Sequence, residues 1–79
     1  LDIIARQGRT LVFVEVKSRS STRQGLPEES VGPRKCARLR RCAELYLAQN
    51  HWTGEVRFEV ASVLLTNPPI INIIPLDDL

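Results

Sequence analysis

The sequence is poor in the residues that identify several common classes of site. It has no methionine, one histidine and two cysteines among its 79 residues. Cys36 and Cys42 are six residues apart, so on a helix they point to different sides, which argues against a disulfide or a zinc pair. No apolar run reaches transmembrane length, and no segment resembles a signal peptide. These absences indicate a cytoplasmic protein without a Cys/His metal site.

Length limits the chain to a single domain, residues 1–79. Because the sequence starts inside an apolar stretch and lacks an initiating methionine, we expect a truncated domain without its N-terminal elements. A domain of this size buries only a modest core. We therefore expect the face left uncovered to be apolar and large enough to support a homodimer.

Basic residues are concentrated in the middle of the chain. Residues 16–43 contain eight Lys or Arg and two Glu, whereas the rest contains three Arg and seven acidic residues. This distribution predicts a face that binds a polyanion such as DNA, although an Arg-rich helix kept soluble by its charge explains it equally well. The candidate nucleic-acid-binding residues are Arg19, Arg23, Arg34, Lys35, Arg38 and Arg41.

The first predicted element is a β-hairpin. Residues 1–6 and 10–17 are rich in β-forming residues, and Gly8 between them suits the first central position of a two-residue type II′ turn. In that register Asp2 lies directly opposite Glu15. A turn one residue earlier changes the pairing but keeps Asp2 on the same face as Glu15.

A helix and two further strands are predicted after the hairpin. Pro33 suits the first helical position, and Asn50 is expected to end the helix in a left-handed conformation after Gln49. Strands follow at residues 55–65 and 70–74, on either side of a Pro-Pro break. The order β, β, α, β, β predicts an α/β fold with a mixed α+β sheet, one face of which the helix covers.

One basic residue of the predicted helix lies among apolar ones. The helix has an apolar arc that should pack on the sheet, and Lys35 falls within it. We expect its ammonium group to reach water, although its stem can also extend along the sheet towards a site. Beyond the helix, Trp52 is expected to cover one end of the sheet as a hydrophobic lid.

The second predicted strand, TLVFVEVKSR, carries two opposite charges in an apolar run. Its alternate valines line one face, which we interpret as core. The opposite face carries, in order, Leu11, Phe13, Glu15 and Lys17. An apolar floor that leads to a charged rim is typical of a cleft.

Asp2, Glu15 and Lys17 therefore share one face of the hairpin. Opposed carboxylates repel each other, so a divalent cation, Lys17 or both must offset the repulsion. Oxygen ligands favour Mg²⁺ or Mn²⁺, which acidifies bound water and neutralises charge on a phosphate. Lys17 would then hold or deprotonate the attacking water, or stabilise the developing charge. The pattern predicts metal-assisted phosphodiester hydrolysis, and the alternative is a structural Glu–Lys pair at an exposed strand edge.

Three segments carry a resemblance to a known family: LDIIARQGRTLVFVEVKSRSS, GLPEESVGPRKCARLRRCAELYLA and VRFEVASVLL. They resemble the YraN-like family of small bacterial proteins, which is similar to the PD-(D/E)xK nuclease superfamily and to archaeal Holliday junction resolvases. The resemblance implies a restriction-endonuclease-like core whose N-terminal helix is missing. It also implies a later strand that is parallel to the one carrying Glu15.

The same resemblance implies the function of the site residues. Asp2, Glu15 and Lys17 would be catalytic, and the backbone carbonyl of Val16 would join Asp2 and Glu15 as ligands of Mg²⁺ or Mn²⁺. The implied activity is that of an endonuclease, with branched DNA as one candidate substrate. Two alternatives stay open: a non-catalytic nucleic-acid-binding module, and a dimerising structural module of the same fold. Glu59 replaces the usual aspartate of the family, and we expect it to form a structural salt bridge, with a supporting role behind the metal ligands as the alternative.

Overall fold

The computed structural model describes residues 2–20 and 32–76 of the chain. These residues form four strands and one helix in the predicted order β, β, α, β, β. The elements are β1 (Ile3–Gln7), β2 (Thr10–Arg19), α1 (Pro33–Gln49), β3 (Glu55–Leu64) and β4 (Ile70–Pro75). The bounds of α1 coincide with those predicted, because Pro33 fixes its start and its apolar periodicity runs unbroken to the last turn.

The four strands form one mixed sheet in the order β1-β2-β3-β4. The two outer pairs are antiparallel, and the central pair, β2 and β3, is parallel. A parallel pair requires a crossover connection, which α1 supplies. The predicted mixed α+β architecture is therefore confirmed, including a strand parallel to the one that carries Glu15.

The β1–β2 hairpin has the predicted two-residue turn. Gln7 pairs with Thr10, and the register continues without a break to Ile3 opposite Val14. Gly8 has a φ of 61° and is the only residue of the turn with a positive φ, as a type II′ turn requires. A residue with a Cβ would be strained there, so Gly8 fixes the register of the hairpin.

The main core lies between α1 and the odd-numbered face of β2. Leu11 and Phe13 are buried there against Ala43 of α1. Phe13 is 1% exposed, stacks on Phe58 with ring centroids 5.4 Å apart, and meets the ring of Tyr46 edge-on at 5.9 Å. The interpretation of this face as the open floor of a cleft is therefore wrong. It carries the largest apolar side chains of β2, so it is the face on which the helix packs.

The valine face of β2 forms a second, smaller cluster. Val12 and Val14 are buried against Ala61, and Val16 packs beside them. Further out, β4 lies at the edge of the sheet with three isoleucines more than half exposed: Ile70, Ile71 and Ile73. The sheet thus has one face under a helix and one face held by short β-branched side chains.

The C-terminal end of α1 differs from the prediction. Asn50 has a φ of −102°, and the left-handed conformation falls on His51, whose φ is 50°. The side chain of Asn50 donates a hydrogen bond from Nδ2 to the carbonyl oxygen of Tyr46 at 2.9 Å. That bond satisfies a carbonyl of the last turn without a left-handed Asn50, so the reversal occurs one residue later.

The sequence predicted no disulfide between its two cysteines and no transmembrane segment. Neither Cys36 nor Cys42 is in a disulfide; Cys36 is half-buried and Cys42 is exposed. Their different burial agrees with the different helix sides that their spacing predicts. Among the described elements, α1 included, no helix has the combination of length and apolar character needed to cross a membrane.

Candidate functional site

Glu15 lies at the charged end of β2, beneath the first turn of α1. It is only 6% exposed, a position that is costly for a carboxylate unless positive charge accompanies it. Lys35 of α1 places Nζ 2.8 Å from Glu15 Oε1, and Lys17 of β2 places Nζ 3.7 Å from the same oxygen. Two lysines from different elements therefore meet at one buried carboxylate.

Lys35 reaches Glu15 because of its place on the helix. It lies four residues before Leu39, so both residues are on the side of α1 that faces the sheet. Leu39 is buried and holds that side against β2. The expectation that the ammonium group of Lys35 reaches water is wrong, because its stem follows the packed face and ends at the carboxylate.

A buried hydroxyl lies beside the charged cluster. Ser62 of β3 is the ladder partner of Lys17 and is 8% exposed. Side chains of paired residues in a parallel ladder lie on the same face, so Ser62 belongs to this end of the sheet. Sequence reasoning did not connect Ser62 with Lys17, since the register between β2 and β3 is not encoded in either strand alone.

Asp2 caps the open end of the hairpin. Its Oδ2 accepts a hydrogen bond from the Val16 N–H at 2.9 Å, and its own N–H donates to the Val14 carbonyl at 3.1 Å. The N–H and C=O of one strand residue face the same neighbouring strand, so the Val16 carbonyl also lies on the Asp2 side of β2. The negative charge of Asp2 acts to raise the pKa of both Lys17 and Lys35.

The three central groups influence each other's protonation. Burial raises the pKa of the Glu15 carboxyl, but the hydrogen bond with Lys35 and the surrounding positive charge outweigh it, so the pKa is lower than usual. Hydrogen bonding with Lys35, then burial and the charge of Lys35, lower the pKa of Lys17. The hydrogen bond with Glu15 raises the pKa of Lys35. Lys35 therefore holds its proton more firmly than Lys17 does.

The oxygen donors at this end of the hairpin restrict the metals that fit. Among the residues that the structure describes, no three His, Cys, Asp or Glu side chains lie close enough together to hold a metal ion. The donors present are the Asp2 and Glu15 carboxylates and the Val16 carbonyl. All three predicted ligands are oxygen donors, the kind that would suit Mg²⁺ or Mn²⁺, because Mg²⁺ is commonly held by one or two carboxylates together with water and substrate phosphate. They do not suit zinc, which favours nitrogen and sulfur ligands.

The predicted nucleic-acid-binding residues lie in different surroundings. Three of them are exposed on α1, and they are Arg34, Arg38 and Arg41. Arg19 is half-buried at the end of β2, whereas Lys35 is turned inwards to Glu15. Arg23 lies outside the described residues. The exposed arginines are on the same helix that covers Glu15, so the solvent-facing surface of that helix near the site is positively charged.

Glu59 is separate from this cluster. It pairs with Val14 in the β2–β3 ladder and therefore lies on the valine face, opposite the face of Glu15. Its Oε2 is 3.0 Å from Nε of Arg57, with which it forms a salt bridge. The predicted structural salt bridge is confirmed.

Trp52 covers the far end of the helix-side core. It packs against the Leu11–Phe13 cluster, and its Nε1–H donates to the Glu55 carbonyl at 3.0 Å. The guanidinium group of Arg6 lies 5.2 Å from the ring centroid. The predicted role of Trp52 as a hydrophobic lid is confirmed, and this lid lies at the end of β2 opposite to Glu15.

Comparison with known proteins finds one family whose sequence model covers all of the residues described above that surround Glu15. The family model described as uncharacterised protein family UPF0102 matches residues 1–63. A UPF0102 protein of Frankia alni is 49% identical over 71 residues, which are 89% of this chain and 58% of that protein. One of Beutenbergia cavernae is 54% identical over 67 residues, which are 84% of this chain and 57% of that protein. The chain thus spans less than two thirds of the length of these relatives, and no solved structure matches it.

Proposed function

The chain belongs to UPF0102, the YraN-like family that its motifs predict, and we propose that it is a metal-dependent endonuclease of the PD-(D/E)xK type that acts on DNA. The observation that carries the proposal is the buried Glu15 carboxylate with Lys17 at 3.7 Å on the same strand face. A carboxylate and a lysine with a lowered pKa, next to each other at the charged end of β2, are a pair suited to hydrolysis of a phosphodiester.

The proposed roles follow from the position of each residue. Asp2, Glu15 and the Val16 carbonyl would hold Mg²⁺ or Mn²⁺. When bound, the cation supplies acidified water and neutralises charge on a phosphate oxygen. The lowered pKa of Lys17 increases the fraction of the side chain that is present as the neutral amine, the form that would accept a proton from the attacking water. The exposed arginines of α1 would bind the flanking phosphates of DNA, including branched DNA.

One observation favours a second candidate, a non-catalytic nucleic-acid-binding module of the same fold. The 2.8 Å contact with Lys35 already neutralises Glu15, as in a purely structural ion pair. Such a module would keep the basic surface of α1 and bind DNA without needing a divalent cation. The two candidates therefore differ in whether Glu15 binds a metal.

Calorimetric titration with Mn²⁺ tests the site directly. The endonuclease proposal expects binding by the wild-type protein and its loss in Glu15→Gln. Glu59→Gln is the matched control, because it removes the same charge from the opposite face of the sheet, and it should bind Mn²⁺ normally. Absence of Mn²⁺ binding by the wild-type protein would refute the endonuclease proposal and leave the binding module.

A cleavage assay then tests the chemistry. Linear and four-way DNA are incubated with the wild-type protein and with Lys17→Ala in Mg²⁺ or Mn²⁺. The proposal expects cleavage that Lys17→Ala abolishes while Mn²⁺ binding persists. Metal binding without cleavage of either DNA would contradict the assignment of DNA as the substrate.

A further inference from the structure

We propose that Lys35 competes with a divalent cation for the Glu15 carboxylate and, once displaced, binds a phosphate of the substrate. The inference rests on the proposed function and adds a residue of α1 to its site. Lys35 is already a candidate nucleic-acid-binding residue, and the inference adds competition with the cation at Glu15, which the basic surface of the helix does not imply.

The contact geometry supports the competition. Nζ of Lys35 is 2.8 Å from Oε1 of Glu15, the distance of a charge-assisted hydrogen bond, whereas Lys17 is 3.7 Å away. A metal ligand must direct an oxygen lone pair at the cation. Lys35 occupies the buried carboxylate from the helix side, and an ammonium group and a dication at one oxygen repel each other.

The position of Lys35 also allows it to move. Its side chain is 29% exposed, and it lies in the first turn of α1. Lysine is a point charge on a flexible four-carbon stem, so the ammonium group can turn from the carboxylate to a nearby anion without a change in the helix. The exposed Arg34 lies in the same turn, so its charge attracts a phosphate to the end of α1 from which Lys35 extends.

Competition and a purely structural salt bridge predict opposite effects on metal affinity. If Lys35 only holds Glu15 in place, its removal misplaces the carboxylate and weakens Mn²⁺ binding. If Lys35 competes with the cation, its removal strengthens Mn²⁺ binding. DNA binding should weaken in the same variant, because a phosphate contact is lost.

Mn²⁺ calorimetry on Lys35→Met is the first test, since methionine keeps most of the unbranched apolar stem and removes the charge. We expect its Kd for Mn²⁺ to fall about tenfold, because a charge-assisted hydrogen bond no longer has to be broken. Arg34→Met, which removes one exposed positive charge from the same turn, should change the Kd by less than about twofold. Lys35→Arg should weaken Mn²⁺ binding, because a guanidinium group holds a carboxylate through two hydrogen bonds.

DNA binding by Lys35→Met provides an independent readout. The slope of log affinity against log salt concentration, measured with Mn²⁺ present, should decrease in magnitude by about one unit. Unchanged or weaker Mn²⁺ binding by Lys35→Met, with Glu15-dependent binding intact in the wild type, would overturn this inference alone. Absence of Mn²⁺ binding by the wild type and by both Lys35 variants would overturn the proposed function as well. Should Lys35→Met fail to fold, the direction of the change in Lys35→Arg decides the question.

Discussion

The coupling between Glu15 and Lys35 can be measured as a free energy of unfolding. The perturbation is a double-mutant cycle that consists of Lys35→Met, Glu15→Gln and the two together. Lys35→Met leaves a carboxylate that is 6% exposed with its 2.8 Å partner removed. Glu15→Gln is milder, because the lysines that lose their carboxylate are 26% and 29% exposed and can turn to water.

The structure sets the expected magnitude between two limits. Removing one partner of a fully buried ion pair costs about 3–5 kcal/mol, whereas an exposed pair contributes about 0.2–1 kcal/mol. Glu15 is buried, but Lys35 is partly exposed and Lys17 remains 3.7 Å from the same oxygen. We therefore expect Lys35→Met to cost about 2 kcal/mol, with a coupling energy of about 1–2 kcal/mol between the two positions.

Urea unfolding at neutral pH gives these energies from the transition midpoints. The salt bridge between Arg57 and Glu59 on the opposite face is a matched control. Its atoms are 3.0 Å apart, but the Arg57 side chain is 45% exposed, so the coupling should be about 0.5 kcal/mol or less. If the coupling of the Glu15–Lys35 cycle does not exceed that of the control, the argument that burial strengthens this contact is wrong.

Three further outcomes test separate parts of the structure. The pKa of Glu15 is lower in the fold than its ordinary value of 4.5, so its ionised form stabilises the protein above that pH, and this contribution is lost as the pH falls below it. The urea midpoint of Glu15→Gln should therefore depend less on pH in this range than that of the wild-type protein. Gly54→Ala should cost about 1–3 kcal/mol in urea unfolding, because its Cβ would meet the Arg9 carbonyl and the Trp52 ring. Gly32→Ala has no neighbour within 4 Å and should cost less, about 0.5 kcal/mol, because Gly32 is the N-cap of α1 and alanine is a poorer N-cap than glycine. Phe13→Ala should cost about 3–5 kcal/mol in thermal or urea unfolding, since Phe13 is 1% exposed at the centre of the core. A loss for Gly32→Ala as large as that for Gly54→Ala, or a loss below about 1 kcal/mol for Phe13→Ala, would contradict the packing described.

Local sequence signals predicted much of this architecture. The hairpin register follows from one glycine in a two-residue turn, so Gly8 alone determines which residue faces which along β1 and β2. Pro33 and the apolar periodicity determine the bounds of α1. Strand parity was enough to place Glu59 on the face of β3 opposite Phe58 and Val60, because alternation along a strand needs no knowledge of its partners.

The parts of the site that depend on contacts between distant segments were not predictable in the same way. Strand parity divides β2 into two faces but does not say which one the helix covers, and both faces carry apolar residues. The destination of Lys35 depends on that choice, since it reaches Glu15 only if α1 packs on the Phe13 face. The position of Ser62 beside Lys17 likewise depends on the parallel register of β2 and β3. These two strands are separated in the sequence by 35 residues, from the end of β2 at Arg19 to the start of β3 at Glu55.

Stability alone does not account for the charges beneath α1. Replacing a buried ion pair by apolar residues is often neutral or stabilising by about 1–4 kcal/mol, and Glu15 adjoins Phe13 on a face where an apolar side chain would pack. Lys17 makes the argument stronger, because its pKa is lower in the fold than the ordinary value. A lysine of this kind binds its proton less tightly when folded, so at neutral pH it reduces stability rather than adding to it. The proposed hydrolysis would account for a buried carboxylate and a destabilised ammonium group side by side, an arrangement that packing alone does not favour.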